Sequence, residues 1–187
     1  MYDLSIEGWM SEEELKQIEI WASSVPPDGV IVEVGSFKGR STVAWATACH
    51  PSVTVYAIDK FHDSRRGDFY NEFLSNTSHL KNIKPLRGET PKKVKYEGTP
   101  IDVFFLDAAH VNPTDTIIIN YYLPFIKKGG ILCGHDYYDK SMFDLDFITT
   151  YDVKYFSAVN ANVKFLEVLL KKEVTLYRNT TLWSFAI

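Results

Sequence analysis

Four polar positions stand at or near the ends of apolar runs: Glu33 in VIVEV, Asp59 closing VTVYAID, Asp107 closing IDVFFLD, and His135-Asp136 after GGILCG. His110 follows Asp107 by three residues in DAAH. Carboxylates and imidazoles accept protons, hold cations and bind hydroxyls. His110 is a candidate general base near neutral pH, or else a histidine that shapes its own loop. Asp107, His135 and Asp136 could converge on one divalent ion if their strands are neighbours, because adjacent strand ends lie about 4.8 Å apart. An imidazole in that set shifts the preference from magnesium towards manganese, iron or zinc, or towards no metal at all. The alternative is that His135 and Asp136 position a substrate or each other.

The segment IVEVGSFKGRST, residues 31–42, adds a glycine loop. A P-loop needs four residues between its glycines and then Lys. Here three separate Gly35 from Gly39, and Arg40 follows. A dinucleotide fingerprint needs glycines at offsets 0, 2 and 5, where this chain has Gly35, Phe37 and Arg40. Phe37 stands where a pyrophosphate would meet the helix, and Glu33 would repel it. S-adenosylmethionine suits the loop better. It carries an ammonium, a carboxylate and a sulfonium but no phosphate, so an acid beside the loop is an asset. Gly35 permits close backbone approach, Gly39 lets the helix pack tightly on the strand, and a helix N-terminus receives a carboxylate. Asp59, ending the next strand, can accept hydrogen bonds from both ribose hydroxyls.

These residues need a scaffold, and the patterning supplies one. Ser11 and Glu14 form a capping box for a helix over 11–24. VIVEV, VTVYAID, a weaker IKPLRGE, IDVFFLD and GGILCGHD read as strands. Helices are predicted over 39–49, 67–80, from Asn112-Pro113 to about Ile126, and near 160–172. Strands alternating with helices mean a doubly wound α/β fold with a mostly parallel sheet and helices on both faces. Alternating runs around Arg178-Asn179-Thr180 add an antiparallel hairpin at the sheet edge. The predicted organisation is one domain over 1–187, with a cofactor-binding half at about 30–110 and a substrate and edge half at about 111–187. Ligands in such sheets bind beyond the carboxyl ends of the strands. Segments 61–70 and 137–157 are the candidate lids. Tyr137, Tyr138, Phe143, Phe147 and Tyr151 in the second suit an apolar acceptor pocket or a homodimer contact.

The 187 residues allow one proper core, and 45% hydrophobic with 24% charged residues is an ordinary globular balance. A net charge of -4 offers no general field for nucleic acid. Arg65-Arg66 and Lys92-Lys93 read as solvated faces, and His50, His62 and His79 as surface residues. Cys49 and Cys133 lack metal-site spacing and read as buried thiols of a reducing compartment. The absence of a leader pattern or a membrane-length apolar run leads us to expect a cytoplasmic protein.

VIVEVGSFKGRSTVAWA, VYAIDKF, PLRGET, IDVFFLDAAH and LPFIKKGGILCGHDYY together resemble the ordered motifs of class I S-adenosylmethionine-dependent methyltransferases. They most resemble methyltransferase family 24, with macrocin-type and catechol-type O-methyltransferases more distant. The opening GWMSEEE and the hairpin fit as well, so the resemblance covers roughly residues 8–187. It implies a seven-stranded sheet and transfer of a methyl group to a small molecule, most readily at a hydroxyl. It implies that Glu33, Gly35, Ser36, Phe37 and Gly39 contact the methionine part, with Ser41 nearby. Asp59 would hold the ribose, and Gly88, Glu89 and Thr90 would lie along the adenine. The residue after the ribose acid is Lys60, where relatives often carry an apolar group, so Phe61 would pack on adenine instead. Asp107, followed by Ala108, would sit beside the methionine amino group or the transferred methyl. Catechol-type relatives bind a metal through Asp, Asp and Asn; here the matching positions hold Asp107, His135 and Asp136, and Ala109 stands where related sequences often carry a further acid. The alternatives are a non-catalytic cofactor-binding or interaction protein on this fold, and a nucleotide-sugar or dinucleotide enzyme.

Overall fold

The computed structural model describes residues 2–139 and 156–187. Its main sheet has seven strands in the order β5-β2-β1-β6-β7-β9-β8. These are β1 (Val30–Val34), β2 (Thr54–Asp59), β5 (Ile83–Arg87), β6 (Ile101–Leu106), β7 (Ile126–Gly134), β8 (Thr175–Leu176) and β9 (Trp183–Ala186). The first five pair in parallel, and β9 runs antiparallel to both β7 and β8. The predicted mostly parallel sheet with a C-terminal hairpin is therefore present. A second, two-stranded ribbon joins β3 (His62–Asp63) to β4 (Gly67–Asp68).

β1 shows why both sheet faces are covered. Val30, Val32 and Val34 point to one core, and Ile31 to the other. The first core is closed by α4 (Thr114–Tyr122) and α5 (Ser157–Leu170), through Ile118, Tyr122, Val163 and Leu166. The second is closed by α1 (Glu12–Ser23) and α2 (Arg40–Ala48), where Trp21 stacks on Trp45 at 6.1 Å. A strand apolar on both faces must lie inside such a sandwich. The chain order reverses between β1 and β6, so the crevice of the fold opens there.

Three boundaries differ from expectation, each for a local reason. Asp68 Oδ1 accepts the Tyr70 N–H at 3.0 Å, and α3 spans only Tyr70–Thr77. The helix expected to reach Ile126 ends at Tyr122 in a 3-10 turn, Leu123–Phe125, where Pro124 has no N–H to continue an α-helix. At its start Asn112 gives no side-chain cap, and Pro113 rather than Asn112 takes the cap position. Arg66 is not merely solvated: its guanidinium lies 4.5 Å from the Trp9 ring centre. Of the second candidate lid, only 137–139 and 156–157 fall among the described residues; Phe143, Phe147 and Tyr151 lie outside them.

Candidate active site

The glycine loop packs against the end of β6. Gly35 has φ +99°, donates its N–H to Ile58 O at 2.8 Å, and would place a Cβ 1.6 Å from Asp107 O. No side chain fits there. Gly39 (φ +96°) would meet Thr77 and Phe73 of α3, so it allows helix–helix packing rather than the helix–strand packing expected from sequence. Between them, Phe37 turns its ring onto Phe69 and Trp9, at 4.8 and 4.9 Å, away from the loop. Its N–H donates to Asp59 Oδ2 at 2.9 Å, while Phe61 N–H donates to Asp59 Oδ1 at 2.7 Å. Asp59 thus holds the loop before it holds any ligand, and each oxygen keeps a lone pair for a hydroxyl. Burial raises its pKa, against the pull of these two N–H groups.

Glu33 lies fully buried under the loop, with Thr42 Oγ1 donating to its Oε2. Ser36 and Ser41 are buried beside it. Burial pushes its pKa up to about 7, against the pull of the Ser41 and Thr42 hydroxyls. Its Oε1 has no hydrogen-bond partner. A buried acceptor without a donor is costly, and it marks a place for a cationic or N–H group.

The expected adenine side is mixed. Gly88 N–H donates to Asp59 O at 2.8 Å, which brings Gly88 and Glu89 to the rim beside the ribose acid. Thr90 is buried, and its hydroxyl is shared with Tyr122 OH at 2.8 Å. Lys60 is exposed, while Phe61 is 0% exposed among Phe69, Tyr70 and Phe73. Its ring has no free face for an adenine, so Phe61 contributes its N–H to Asp59 instead.

On the other side of the crevice, Leu106 pairs with Gly134, and the next residues of β6 and β7 meet. His110 Nε2 lies 2.8 Å from Asp136 Oδ2 and 3.4 Å from Asp107 Oδ1. His135 Nδ1 lies 3.2 Å from Asp136 Oδ1 and 3.6 Å from Asp107 Oδ1. Its Nε2 faces Glu14 Oε1 at 3.1 Å. Burial would lower the His135 pKa, but Asp136, Glu14 and Asp107 together raise it well above its ordinary value. Burial likewise opposes ionisation of Glu14, yet the His135 charge and hydrogen bond, with the Thr181 and Ser11 N–H groups, hold its pKa at about 2. Phe37, Phe61, His110 and Asp136 all have left-handed φ, between +45° and +63°. Such backbone is costly for bulky residues and collects at functional sites.

A family model of the methyltransferase domain matches residues 32–137. The chain belongs to this methyltransferase family. No curated protein sequence matches it. Among solved structures, a candidate caffeoyl-CoA O-methyltransferase of Staphylococcus aureus is similar at TM-score 0.71 and 13% identity, covering 95% of this chain and 83% of that one. The O-methyltransferase of Bacillus cereus, in complex with S-adenosylhomocysteine, gives 0.65 and 14%, covering 98% and 85%. TomG of Streptomyces achromogenes, an O-methyltransferase of tomaymycin synthesis in complex with S-adenosylmethionine, gives 0.62 and 16%, covering 95% and 81%. At these identities the likeness is one of fold.

The methyltransferase donor, S-adenosylmethionine, fits the residues present. The unpartnered Glu33 Oε1 suits an ammonium, the Gly35 approach leaves no Cβ in the way, and Asp59 keeps free lone pairs. A metal fits a different set from the one expected. Asp107, His110 and Asp136 offer ligand atoms all within 4.8 Å of one another. His110 thus joins the set, while His135 is buried behind the carboxylates and turned towards Glu14. Two carboxylates and one imidazole suit manganese, iron or zinc better than magnesium. Sequence reasoning saw Glu14 only as the acid that closes a capping box with Ser11. The box is real, with Ser11 N–H donating to Glu14 Oε2 at 2.9 Å. Nothing local shows that Oε1 of the same carboxylate reaches His135 and Thr181.

Proposed function

We propose that this methyltransferase moves a methyl group from S-adenosylmethionine to the hydroxyl of a small molecule, with His110 as the base. One observation carries the reading: the His110 imidazole sits between Asp107 and Asp136 at the end of β6, where Gly35 brings the glycine loop against Asp107. The O-methyltransferase neighbours support the choice of a hydroxyl.

When bound, the donor supplies an electrophilic methyl on a sulfonium. The chain's residues orient it. Glu33 receives the ammonium beside Ser36 and Ser41, Asp59 takes the ribose hydroxyls, and Gly88 and Glu89 border the adenine. Ala108 and Asp107 flank the methyl. His110 takes the proton from the acceptor hydroxyl as its oxygen attacks, and Asp136 steadies the imidazolium that forms. Holding acceptor and methyl in line supplies much of the remaining acceleration.

The convergence of Asp107, His110 and Asp136 favours a second reading, in which these three hold a divalent ion. The ion would lower the pKa of an acceptor hydroxyl. His110 belongs to both readings, so its replacement does not separate them. The test is methyl release from S-adenosylmethionine over a panel of hydroxyl acceptors, with and without EDTA. His110→Gln should lower turnover about 10²–10⁴-fold. Wild-type activity that survives EDTA establishes the histidine route; loss in EDTA and rescue by manganese establishes the metal. Binding of S-adenosylhomocysteine without methyl release to any acceptor would overturn the enzymatic reading.

A further inference from the structure

Arg40, the first residue of α2, follows the glycine loop directly. In the sequence it stood only where a P-loop carries its lysine. In the structure its guanidinium spreads over the N-terminal segment. Nε donates to Ile6 O at 2.6 Å, Nη1 to Met10 O at 3.1 Å and Nη2 to Leu4 O at 3.3 Å. A planar fork of donors holds several carbonyls at once, which the compact ammonium of a lysine does not. Ile6 and Met10 are buried, so residues 4–10 lie as a strap against the body of the protein. The strap in turn holds the two middle residues of the glycine loop. Trp9 sets its ring on Phe37 at 4.9 Å, and the Glu7 carboxylate pairs with Lys38 at 2.7 Å. From the turn between β3 and β4, Arg66 lies 4.5 Å from the Trp9 ring centre and 5.3 Å from that of Phe37, and reaches Glu7 at 3.4 Å. Trp9 is 68% exposed, so core burial does not account for its place on Phe37.

We infer that Arg40 and Trp9 are positioning residues for the ribose of the donor: Arg40 clamps the strap beside the glycine loop, Trp9 and Arg66 brace the Phe37 ring, and the braced Phe37 aims its backbone N–H at Asp59. Phe37 has φ +45°. Left-handed backbone at a bulky residue persists where the surroundings over-determine it. Ring contacts from Trp9 and Phe69 supply that constraint from outside the ligand site. The N–H so fixed occupies Asp59 Oδ2 at 2.9 Å. It sets the rotation of the carboxylate, and with it the direction of the lone pairs left for the ribose hydroxyls. An acceptor oriented before the ligand arrives loses less freedom on binding. Arg40 and Trp9 thus act on the donor through the Phe37 backbone and Asp59.

The inference rests on Asp59 as the ribose acid, and the tests tell the two apart. Trp9→Ala, at an exposed position, should leave the urea midpoint unchanged and raise the Kd for S-adenosylhomocysteine about fivefold, the scale of one aromatic contact with a cation–π partner. Arg40→Lys keeps the charge but not the fork. It should raise Kd by a similar factor and quicken chymotrypsin cleavage after Trp9. In the unliganded chain, amide exchange at Phe37 should quicken about tenfold in both variants, with the β1 amides unchanged. In an Asp59→Asn background, Trp9→Ala should change Kd by less than about twofold, because the path to the ribose is already cut. A strap that serves stability alone would not show that coupling. Folded Trp9→Ala and Arg40→Lys with wild-type Kd and wild-type Phe37 exchange would overturn the inference. So would a fivefold loss that persists in the Asp59→Asn background. Asp59→Asn with unchanged affinity would count against the ribose assignment, and through it against this inference. Methyl release plays no part in these readouts, so failure of the acceptor panel counts only against the proposed reaction.

Discussion

Asp59 carries two duties on one carboxylate, and this shapes how it should be probed. Removing it with Ala would orphan the Phe37 and Phe61 N–H groups and loosen the loop. Asp59→Asn removes the charge and keeps one acceptor oxygen for the two N–H groups. It should leave the chain folded and weaken S-adenosylhomocysteine binding by about 1–3 kcal/mol, the scale of a hydrogen bond to a charged group. Unchanged affinity by calorimetry in a folded variant would sink the ribose assignment. Glu33 makes a prediction of opposite character. Its folded pKa, about 7, is above its ordinary value of 4.5 because burial penalises the charge. The unfolded chain loses this proton first, so Glu33 destabilises the unliganded fold progressively as pH rises from 4.5 to 7. A bound ammonium would lower that pKa and expel the proton. Affinity for S-adenosylhomocysteine should therefore rise roughly tenfold between pH 5.5 and 7.5, with proton release seen in buffers of different ionisation heat. A flat profile without proton release would remove Glu33 from the methionine site.

Between elements, Glu14 joins three distant pieces of chain. It caps α1 through Ser11, ion-pairs with His135 past β7, and accepts the Thr181 N–H and hydroxyl ahead of β9. Thr181 in turn receives the Asp136 N–H on its Oγ1 at 3.2 Å. The N-terminal helix and the C-terminal hairpin thereby hold the rear of the acidic cluster. Breaking a buried pair leaves an uncompensated charge, so Glu14→Gln should cost about 3–5 kcal/mol in urea unfolding. Glu14 is depressed to about 2, so its share of stability is present above pH 4.5 and is lost as pH falls towards 2. The difference between wild type and Glu14→Gln should shrink over that window. A constant difference would show that packing rather than charge carries the effect.

For the molecule as a whole, the test is which ligand stabilises it. A ligand that binds only the folded state adds about 2.7 kcal/mol at a hundredfold excess over Kd. In a chain of 187 residues that is roughly 5–10 °C of melting temperature. S-adenosylhomocysteine should produce such a shift, and NAD and ATP should not. A shift with NAD and none with the homocysteine compound would move the chain to a dinucleotide enzyme. Among the described residues, no helix is long and apolar enough to cross a membrane.

Strand period, apolar runs and turn residues are local properties, and they sufficed for the doubly wound sheet, its hairpin and the polar rim. Asp59 and Asp107 were legible as rim positions because they stand where β2 and β6 end, whereas Glu33, the fourth residue of β1, stays buried beneath the loop. What the sequence could not show was direction and partnership. Phe37 and Phe61 were read as facing ligand, but positive φ sends one ring to Trp9 and buries the other, leaving their N–H groups on Asp59. His110 and His135 exchanged places in the candidate metal set, because each imidazole's orientation depends on the carboxylates around it. Glu14 read only as the acid of a capping box. Its partner His135 lies 121 positions away. Contacts of that kind are decided when β6, β7 and the two termini pack together, since hydrogen bonds and charge pairs act through space and periodicity along the chain carries no record of them.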